Sequence, residues 1–381
     1  MNTTHVTWGM VSSSPPTACG IATFTSALGQ ALQRRGEEVE LVRVLQGDDV
    51  PSTSPFTVVA ELRASDAPSV HRAALVLNNC DVALVQHEFG LYGGRDGDDV
   101  LSLMSRLDVP TVAVLHTVLS SPSTHQREVL NEVIRLSTFV IVMTDSALTT
   151  LRRHYHVGTT PVRVIPHGAA LGLMPLSAEP GASPILLTWG LLGPGKGIEW
   201  MIDAMALLRG LSPRPHYVVA GRTHPKVLAY EGDVYRHSLE RRVQENDVSD
   251  MVYFDNNYRT LASLKDLIAS STVVILPYDS SDQATSGVLV DAVAAGRPVI
   301  ATSFPHSNEL LSSGAGIVVE HRSPRALSVA IRRIIESPAL ALSMSAAARR
   351  IAPSLSWDAV AGSYVDLTRE LDLMTSESVR A

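Results

Sequence analysis

The stretch Val273–Thr302, VVILPYDSSDQATSGVLVDAVAAGRPVIAT, decides how the rest of the chain is read. Its apolar run Val273–Leu276 predicts a buried strand, Pro277–Thr285 a polar loop, and Ser286–Ala295 a short helix. Gly296 marks a turn, and Val299–Thr302 a second strand. A helix that begins with small residues leaves unpaired N–H groups directed at the preceding loop, and its dipole favours negative charge there. Ser286 and Gly287 let a phosphate approach that backbone closely. Asp291, four residues after Gly287, projects from the same helix face. Amides for a diphosphate and a carboxylate for ribose hydroxyls together suit a nucleotide. An ordinary βαβ crossover with a capped helix fits the same residues.

The chain has 381 residues, more than one ordinary domain and suited to two α/β domains of nearly equal size. Hydrophobic residues make up 45%, enough for two packed cores. The formal net charge is −7 and Lys and Arg form no block, which argues against nucleic-acid binding through a basic face. The only lysines are Lys196, Lys226 and Lys265. GC-rich coding bias accounts for that scarcity, yet a lysine kept in such a chain marks its position. Two cysteines, Cys19 and Cys80, suggest no disulfide framework and fit a reducing cytoplasm. The N-terminus MNTTHVTWGM lacks a basic, then long apolar, leader pattern, so no signal peptide is expected. No apolar run approaches the roughly 20 residues a membrane span needs. The expectation is a cytoplasmic protein, with room for peripheral contact at the inner face of the membrane.

Short β-branched runs alternate with helical stretches along the first half: Val6–Met10, Val39–Val44, Phe56–Glu61, Val82–Gln86, Thr111–Leu115, Phe139–Met143 and Val162–Ile165. Apolar runs without alternation fit strands covered on both faces, hence a doubly wound parallel sheet. Pro175–Pro184, PLSAEPGASP, reads as a linker. The second half repeats the logic with strands at Ile185–Thr188, Tyr217–Ala220, Val252–Phe254, Val273–Leu276, Val299–Thr302 and Ile317–Val319. The expected domains are 1–174, 184–355, and a C-terminal helix within 356–381 crossing back to the first. Two Rossmann-like halves place the carboxyl ends of their strands across a cleft, where such sheets bind ligands.

Several loops after strands carry polar candidates. Gly20, in PPTACGIATF, opens the first helix and suits a backbone donor to a phosphate or sugar oxygen. A glycine that only packs helix on sheet fits equally. Gln86, His87 and Glu88 end one strand and suit hydroxyl recognition; a structural His–Glu hydrogen bond is the alternative. Neighbouring His and Glu side chains point apart and no HExxH is present, so no metal site is expected. His116 ends VAVLH, where an imidazole meets a sugar hydroxyl or developing charge, or simply fills the sheet rim. Gly190–Gly197, GLLGPGKG, places Lys196 at a helix start, where a cation meets a diphosphate; an exposed turn lysine is the plain reading. Gly197 stands where a Walker A loop needs a hydroxyl, which argues against ATP hydrolysis. Arg222, in GRTHP, adds positive charge to the same cradle or sits on the surface.

Together these pieces resemble the retaining glycosyltransferases of family GT4, with the GT-B fold, and in particular the mannosyltransferase-like branch. The matching segments are CGIATF, VQHEFG, VLHTV, VIPHGA, GLLGPGKGIE, GRTHP with EGDVYR, FDNNY, PYDSSDQATSG, GRPVIATSFPHSNELL and the late SW. They run in order from Cys19 to Trp357. The resemblance implies transfer of a sugar, mannose first, from a nucleotide donor (GDP-mannose, then UDP-sugars) to an acceptor hydroxyl in a glycan, glycolipid or small molecule. It implies no cofactor and no metal for the chemistry. It assigns Lys196 to the diphosphate leaving group, Asp291 to the ribose, and Gln283 to the sugar hydroxyls. Thr285, Ser286 and Gly287 supply backbone donors, His116 touches the sugar, and Gly20 lies against the diphosphate. The acceptor falls to the first domain, where Gln86, His87 and Glu88 lie.

This chain departs from the family in three places: the E-x7-E pair is Gln283 and Asp291, the arginine five before the lysine is Leu191, and the first glycine of the N-terminal pair is Cys19. The branch tolerates a DQxxSG version of the loop. These departures keep a second expectation open, a degenerate GT-B protein that binds a nucleotide or a partner and transfers nothing. A phosphorylase is disfavoured, because no pyridoxal-phosphate lysine is evident.

Overall fold

The computed structural model describes residues 5–17, 19–45, 47, 50–170, 172–174, 182–257 and 259–378. Contacts divide the chain into two compact units: Met1–Gly168 with Trp357–Ala381, and Ala169–Ser356. Most of the predicted linker Pro175–Pro184 lies outside the described residues.

The first unit is built on β1 (Thr7–Ser12), β2 (Glu38–Val44), β3 (Thr57–Leu62), β4 (Val82–His87), β5 (Thr111–Leu115), β6 (Phe139–Val142) and β7 (Val162–Val164). They pair in parallel in the order β3-β2-β1-β4-β5-β6-β7. β4, β5 and β6 are buried at every position, which is why they read as unbroken apolar runs. The order reverses between β1 and β4, the point where such sheets accept ligands at their carboxyl ends. β1 runs on to Ser12, two residues beyond the predicted end, because Val11 and Ser12 still pair with Val42 and Arg43 of β2; the buried Ser12 hydroxyl lies 2.7 Å from Thr25 Oγ1.

The crossover helices carry local start signals. Asp66, Ser123 and Thr144 cap the helices Ala67–Leu77, Thr124–Arg135 and Asp145–His154 by accepting a first-turn N–H. Cys19 plays that part for Gly20–Arg34, its Sγ accepting the Ala22 N–H at 3.3 Å. The last helix, Trp357–Ser378, packs in this unit: Trp357, Val360, Tyr364 and Leu367 join Trp8, Phe24 and Leu28 in one core. Phe24 meets the Trp357 ring edge-on at 5.0 Å. Gly168 lies so close to that indole that a Cβ would clash with it.

The second unit contains β8 (Ile185–Trp189), β9 (His216–Ala220), β10 (Val252–Asp255), β11 (Val273–Leu276), β12 (Val299–Thr302) and β13 (Gly316–Val319). All pair in parallel, in the order β10-β9-β8-β11-β12-β13, with the reversal between β8 and β11. Apolar clusters cover both faces of this sheet. The stretch Val273–Thr302 folds as strand, loop, helix Gly287–Ala294, strand. Two short helices carry no sequence periodicity: Pro225–Glu231 buries no residue, and Pro305–Leu311 spans 7 residues. Among the described residues no helix is long and apolar enough to cross a membrane.

Trp357 is 7% exposed and carries the packing of the last helix. Trp357→Ala is expected to cost about 3–5 kcal/mol of stability, the range for truncating a buried large aromatic. Chemical denaturation of the full chain measures it; an unchanged unfolding midpoint would contradict the packing described.

Candidate functional site

The loops after β8 and β11 meet where the second sheet reverses its order. Gly197, with φ +66, stands at the start of the helix Ile198–Leu207. A side chain there would run into the Pro277 carbonyl, so this left-handed position is open to glycine alone. The close approach lets the Asp279 N–H donate to the Gly195 carbonyl at 2.9 Å. Asp279 in turn accepts from Trp200 Nε1 at 2.9 Å and pairs with Arg322 Nε at 3.4 Å. Lys196 therefore sits, half-buried, with Nζ 4.4 Å over the Tyr278 ring centroid. A ring face attracts an ammonium and holds it in place. The other side of the glycine loop is stitched to the segment after β9: Leu192 donates to the Arg222 carbonyl at 2.8 Å, and His224 to the Leu192 carbonyl at 2.7 Å. Burial, then Lys226 and Lys196 beside it, hold the His224 imidazole below its ordinary pKa. Arg222 itself is exposed.

The loop Pro277–Ser286 is fixed from the β12 and β13 side. Tyr278 O accepts from Thr302 Oγ1 at 2.6 Å and lies 2.8 Å from His321 Nδ1, while His321 Nε2 lies 3.0 Å from Ser303 O. Ser286 is the cap of the helix Gly287–Ala294: its Oγ accepts the Leu289 N–H at 3.3 Å. Its own N–H is already taken, donating to His306 Nδ1 at 2.9 Å. The N–H groups at this helix start for which no acceptor is found among the described residues are those of Gly287 and Val288. Gln283 Nε2 donates to the Thr285 carbonyl at 3.2 Å. Asp291 Oδ1 accepts the Ala170 N–H at 2.8 Å, so this carboxylate also pins the start of the second unit's chain.

In the first unit the candidates gather at the carboxyl ends of β4 and β5. Gln86 and His87 are both fully buried, and Glu88 is half-buried at the loop. Gln86 Oε1 lies 2.7 Å from His116 Nε2, which makes Nε2 the protonated nitrogen and leaves Nδ1 bare. Glu88 takes a short hydrogen bond from the Thr117 hydroxyl. Phe24 stacks edge-on against both His116, at 4.9 Å, and His167, at 5.1 Å. Burial, then His167 and His87, push the His116 pKa down to about 3; burial pushes His87 and His167 down to about 4. All three imidazoles are neutral at pH 7. Among the described residues, neither ring nitrogen of His87 has a partner, nor has Gln86 Nε2. A Cβ on Gly20 would meet nothing within 4 Å, so the start of the first helix is open to an approaching group.

The sequence reading did not single out Tyr278, His306 or His321. Each follows or sits beside a strand's carboxyl end, as the recognised candidates do, and His306 lies inside the quoted segment FPHSNELL. Its partner, a backbone N–H twenty residues earlier, leaves no mark in composition or spacing.

Residues 18–172 match the family described as "Glycosyltransferase Family 4", and residues 175–351 match "Glycosyl transferases group 1". The chain belongs to the GT4-type glycosyltransferases. Its fold agrees: the sucrose-phosphate synthase of Thermosynechococcus elongatus superposes with a TM-score of 0.76 at 20% identity, covering 97% of this chain and 100% of that one. Anabaena Alr3699/HepE, solved with UDP and glucose, superposes with a TM-score of 0.75 at 16% identity, covering 96% and 100%. Both point to the GT-B architecture of two Rossmann-like units. Among curated relatives, the D-inositol 3-phosphate glycosyltransferase of Kineococcus radiotolerans is 24% identical over 92% of this glycosyltransferase and 90% of its own length. The alpha-D-kanosaminyltransferase of Streptomyces kanamyceticus is 24% identical over 62% and 64%.

Two outcomes are expected from this geometry. Gly197→Ala forces both a strained φ and a backbone clash, and should lower stability by more than the ~1 kcal/mol typical of an unstrained glycine change, read from chemical denaturation. The second concerns acid. His87 has a folded pKa near 4, below the ordinary 6.5, so the unfolded chain takes up its proton first. Its contribution is complete above about pH 6.5 and is lost as pH falls towards 4. By pH 5 the loss is about 1–2 kcal/mol relative to pH 7. His87→Leu should flatten the pH 5–7 stability curve by that amount in urea titrations.

Proposed function

We propose that this glycosyltransferase moves a sugar from a nucleoside-diphosphate donor to an acceptor hydroxyl with retention of anomeric configuration. The observation that carries the reading is Lys196, its ammonium held 4.4 Å over the Tyr278 ring where the second sheet reverses its strand order. As the glycosidic bond to the diphosphate breaks, negative charge grows on the departing oxygen. A fixed ammonium and the N–H groups of Gly287 and Val288 oppose that charge without reorganising. The same oxygen takes the acceptor's proton on the same face of the sugar, so no strong general base is called for. Catalysis then rests on stabilising the leaving group and on aligning the acceptor.

In this reading Gln283, Thr285 and Ser286 border the transferred sugar, Asp291 is assigned to the ribose, and Arg222 adds charge beside the diphosphate. His116, neutral and oriented by Gln86, is assigned to the sugar, and Gly20 to the diphosphate. Glu88 is assigned to the acceptor, with His87 beneath it. No residue is assigned to a metal. Mannose from GDP-mannose is the donor favoured by the DQATSG loop. UDP-sugars are next, supported by the neighbour solved with UDP and glucose. The acceptor is a glycan, a glycolipid or a small molecule. The relative named for D-inositol 3-phosphate supports a small polar one.

The second reading, a protein that binds nucleotide without transfer, draws on the internal engagement of the Ser286 N–H and Asp291 Oδ1. The purified chain, incubated with GDP-mannose and with UDP-glucose, separates the two: release of GDP or UDP is expected from one of them. Lys196→Ala should cut that release by about two orders of magnitude or more, the scale of losing a preorganised charge partner. Nucleotide binding by thermal shift with no diphosphate release from any sugar donor would favour the second reading, and unchanged turnover in Lys196→Ala would remove the lysine's role.

A further inference from the structure

Two bonds in the Pro277–Ser286 loop act on a single peptide group. The Thr285 carbonyl and the Ser286 N–H belong to one planar unit, and in a trans peptide they point in opposite directions. His306 Nδ1 takes the N–H at 2.9 Å, and Gln283 Nε2 gives to the carbonyl at 3.2 Å. Both Ser286 and His306 are buried, at 3% and 5% exposure. The plane is therefore gripped at both ends, immediately before the helix start whose next two N–H groups have no acceptor among the described residues. Rotating it would swing those N–H groups and unseat the Ser286 cap on Leu289.

The two grips have strict chemical requirements. The Ser286 N–H needs a bare Nδ1, so neutral His306 carries its proton on Nε2. The Thr285 carbonyl accepts only, so residue 283 must donate. An ionised glutamate has no proton to give and would face the carbonyl lone pairs with a negative charge. We propose that His306 and Gln283 are positioning residues that lock the Thr285–Ser286 plane and so aim the Gly287 and Val288 N–H groups at the donor's phosphate. Glutamine replaces the first glutamate of E-x7-E because this loop needs a donor there. Gln283 Oε1 has no partner among the described residues and remains to accept a sugar hydroxyl. The aiming half of this inference rests on the function proposed above, while the grip itself does not.

Asparagine at 306 keeps an acceptor the same number of bonds from Cβ as Nδ1; glutamine moves it one bond further out. Amide hydrogen exchange over 284–290 is the readout that needs no ligand. It should rise about tenfold or more in His306→Leu and His306→Gln and return to near the native rate in His306→Asn. GDP and UDP titrations of the full chain, watched by thermal shift or calorimetry, give the second readout. Binding of whichever nucleotide the native chain takes should weaken about tenfold in His306→Leu and in Gln283→Glu. In the double variant it should weaken little beyond the worse single one, because both release one peptide plane. Native-like exchange in His306→Leu, or an asparagine variant no better than leucine, would overturn the grip. Fully additive losses would overturn the shared plane. A native chain that binds neither nucleotide would overturn the aiming, and the function proposed above with it, while the exchange rates still decide the grip.

Discussion

The Pro277 carbonyl occupies the space in which any residue but glycine at 197 would carry its Cβ. That single exclusion lets the loop after β8 press against the loop after β11. Asp279 can then reach the Gly195 carbonyl and the Trp200 indole, and Lys196 can settle over Tyr278. The ammonium is held by a chain of backbone and aromatic contacts instead of a carboxylate. It keeps its charge for a ligand, because no ion pair neutralises it among the described residues. A carboxylate partner would have held the lysine as firmly and cancelled the field that a diphosphate needs.

The first unit solves a different problem. Three imidazoles gather near one another at the carboxyl ends of its strands and all are driven neutral by burial. A neutral His116, with its proton placed on Nε2 by Gln86, presents a lone pair and a polarisable ring without adding a second cation. Uncompensated histidine charge in that setting would work against the fold itself, since buried groups pay heavily for ionisation. Gln86 and His87 carry polar atoms without partners among the described residues at this edge, and Trp8 Nε1 in β1 and Arg43 Nε in β2 carry the same cost.

Much of this was legible in the residues. Unbroken apolar runs such as Val82–Gln86 and Val273–Leu276 declared parallel strands covered on both faces, since alternation is absent only where both faces are dry. Lys196 stood out because three lysines serve 381 residues. The short helices Pro225–Glu231 and Pro305–Leu311 escaped, because one buries nothing and the other is too short for a period to show. Gln86 read as a hydroxyl-recognition group at a strand end; that it is fully buried and orients His116 was not legible there.

By itself the sequence determined the two-sheet α/β architecture, the order of its strands along the chain, and which loops end at carboxyl edges. Those follow from local periodicity and from turn chemistry, which act over a few residues. Only the tertiary structure decided that His306 would take the Ser286 N–H, that Gln283 would hold the same peptide plane, and that Asp291 would share its carboxylate with Ala170. These bonds join segments as much as 121 residues apart in the chain. Their partners are chosen by where neighbouring strands place their loops, and strand order is a property of the folded sheet that no local pattern encodes.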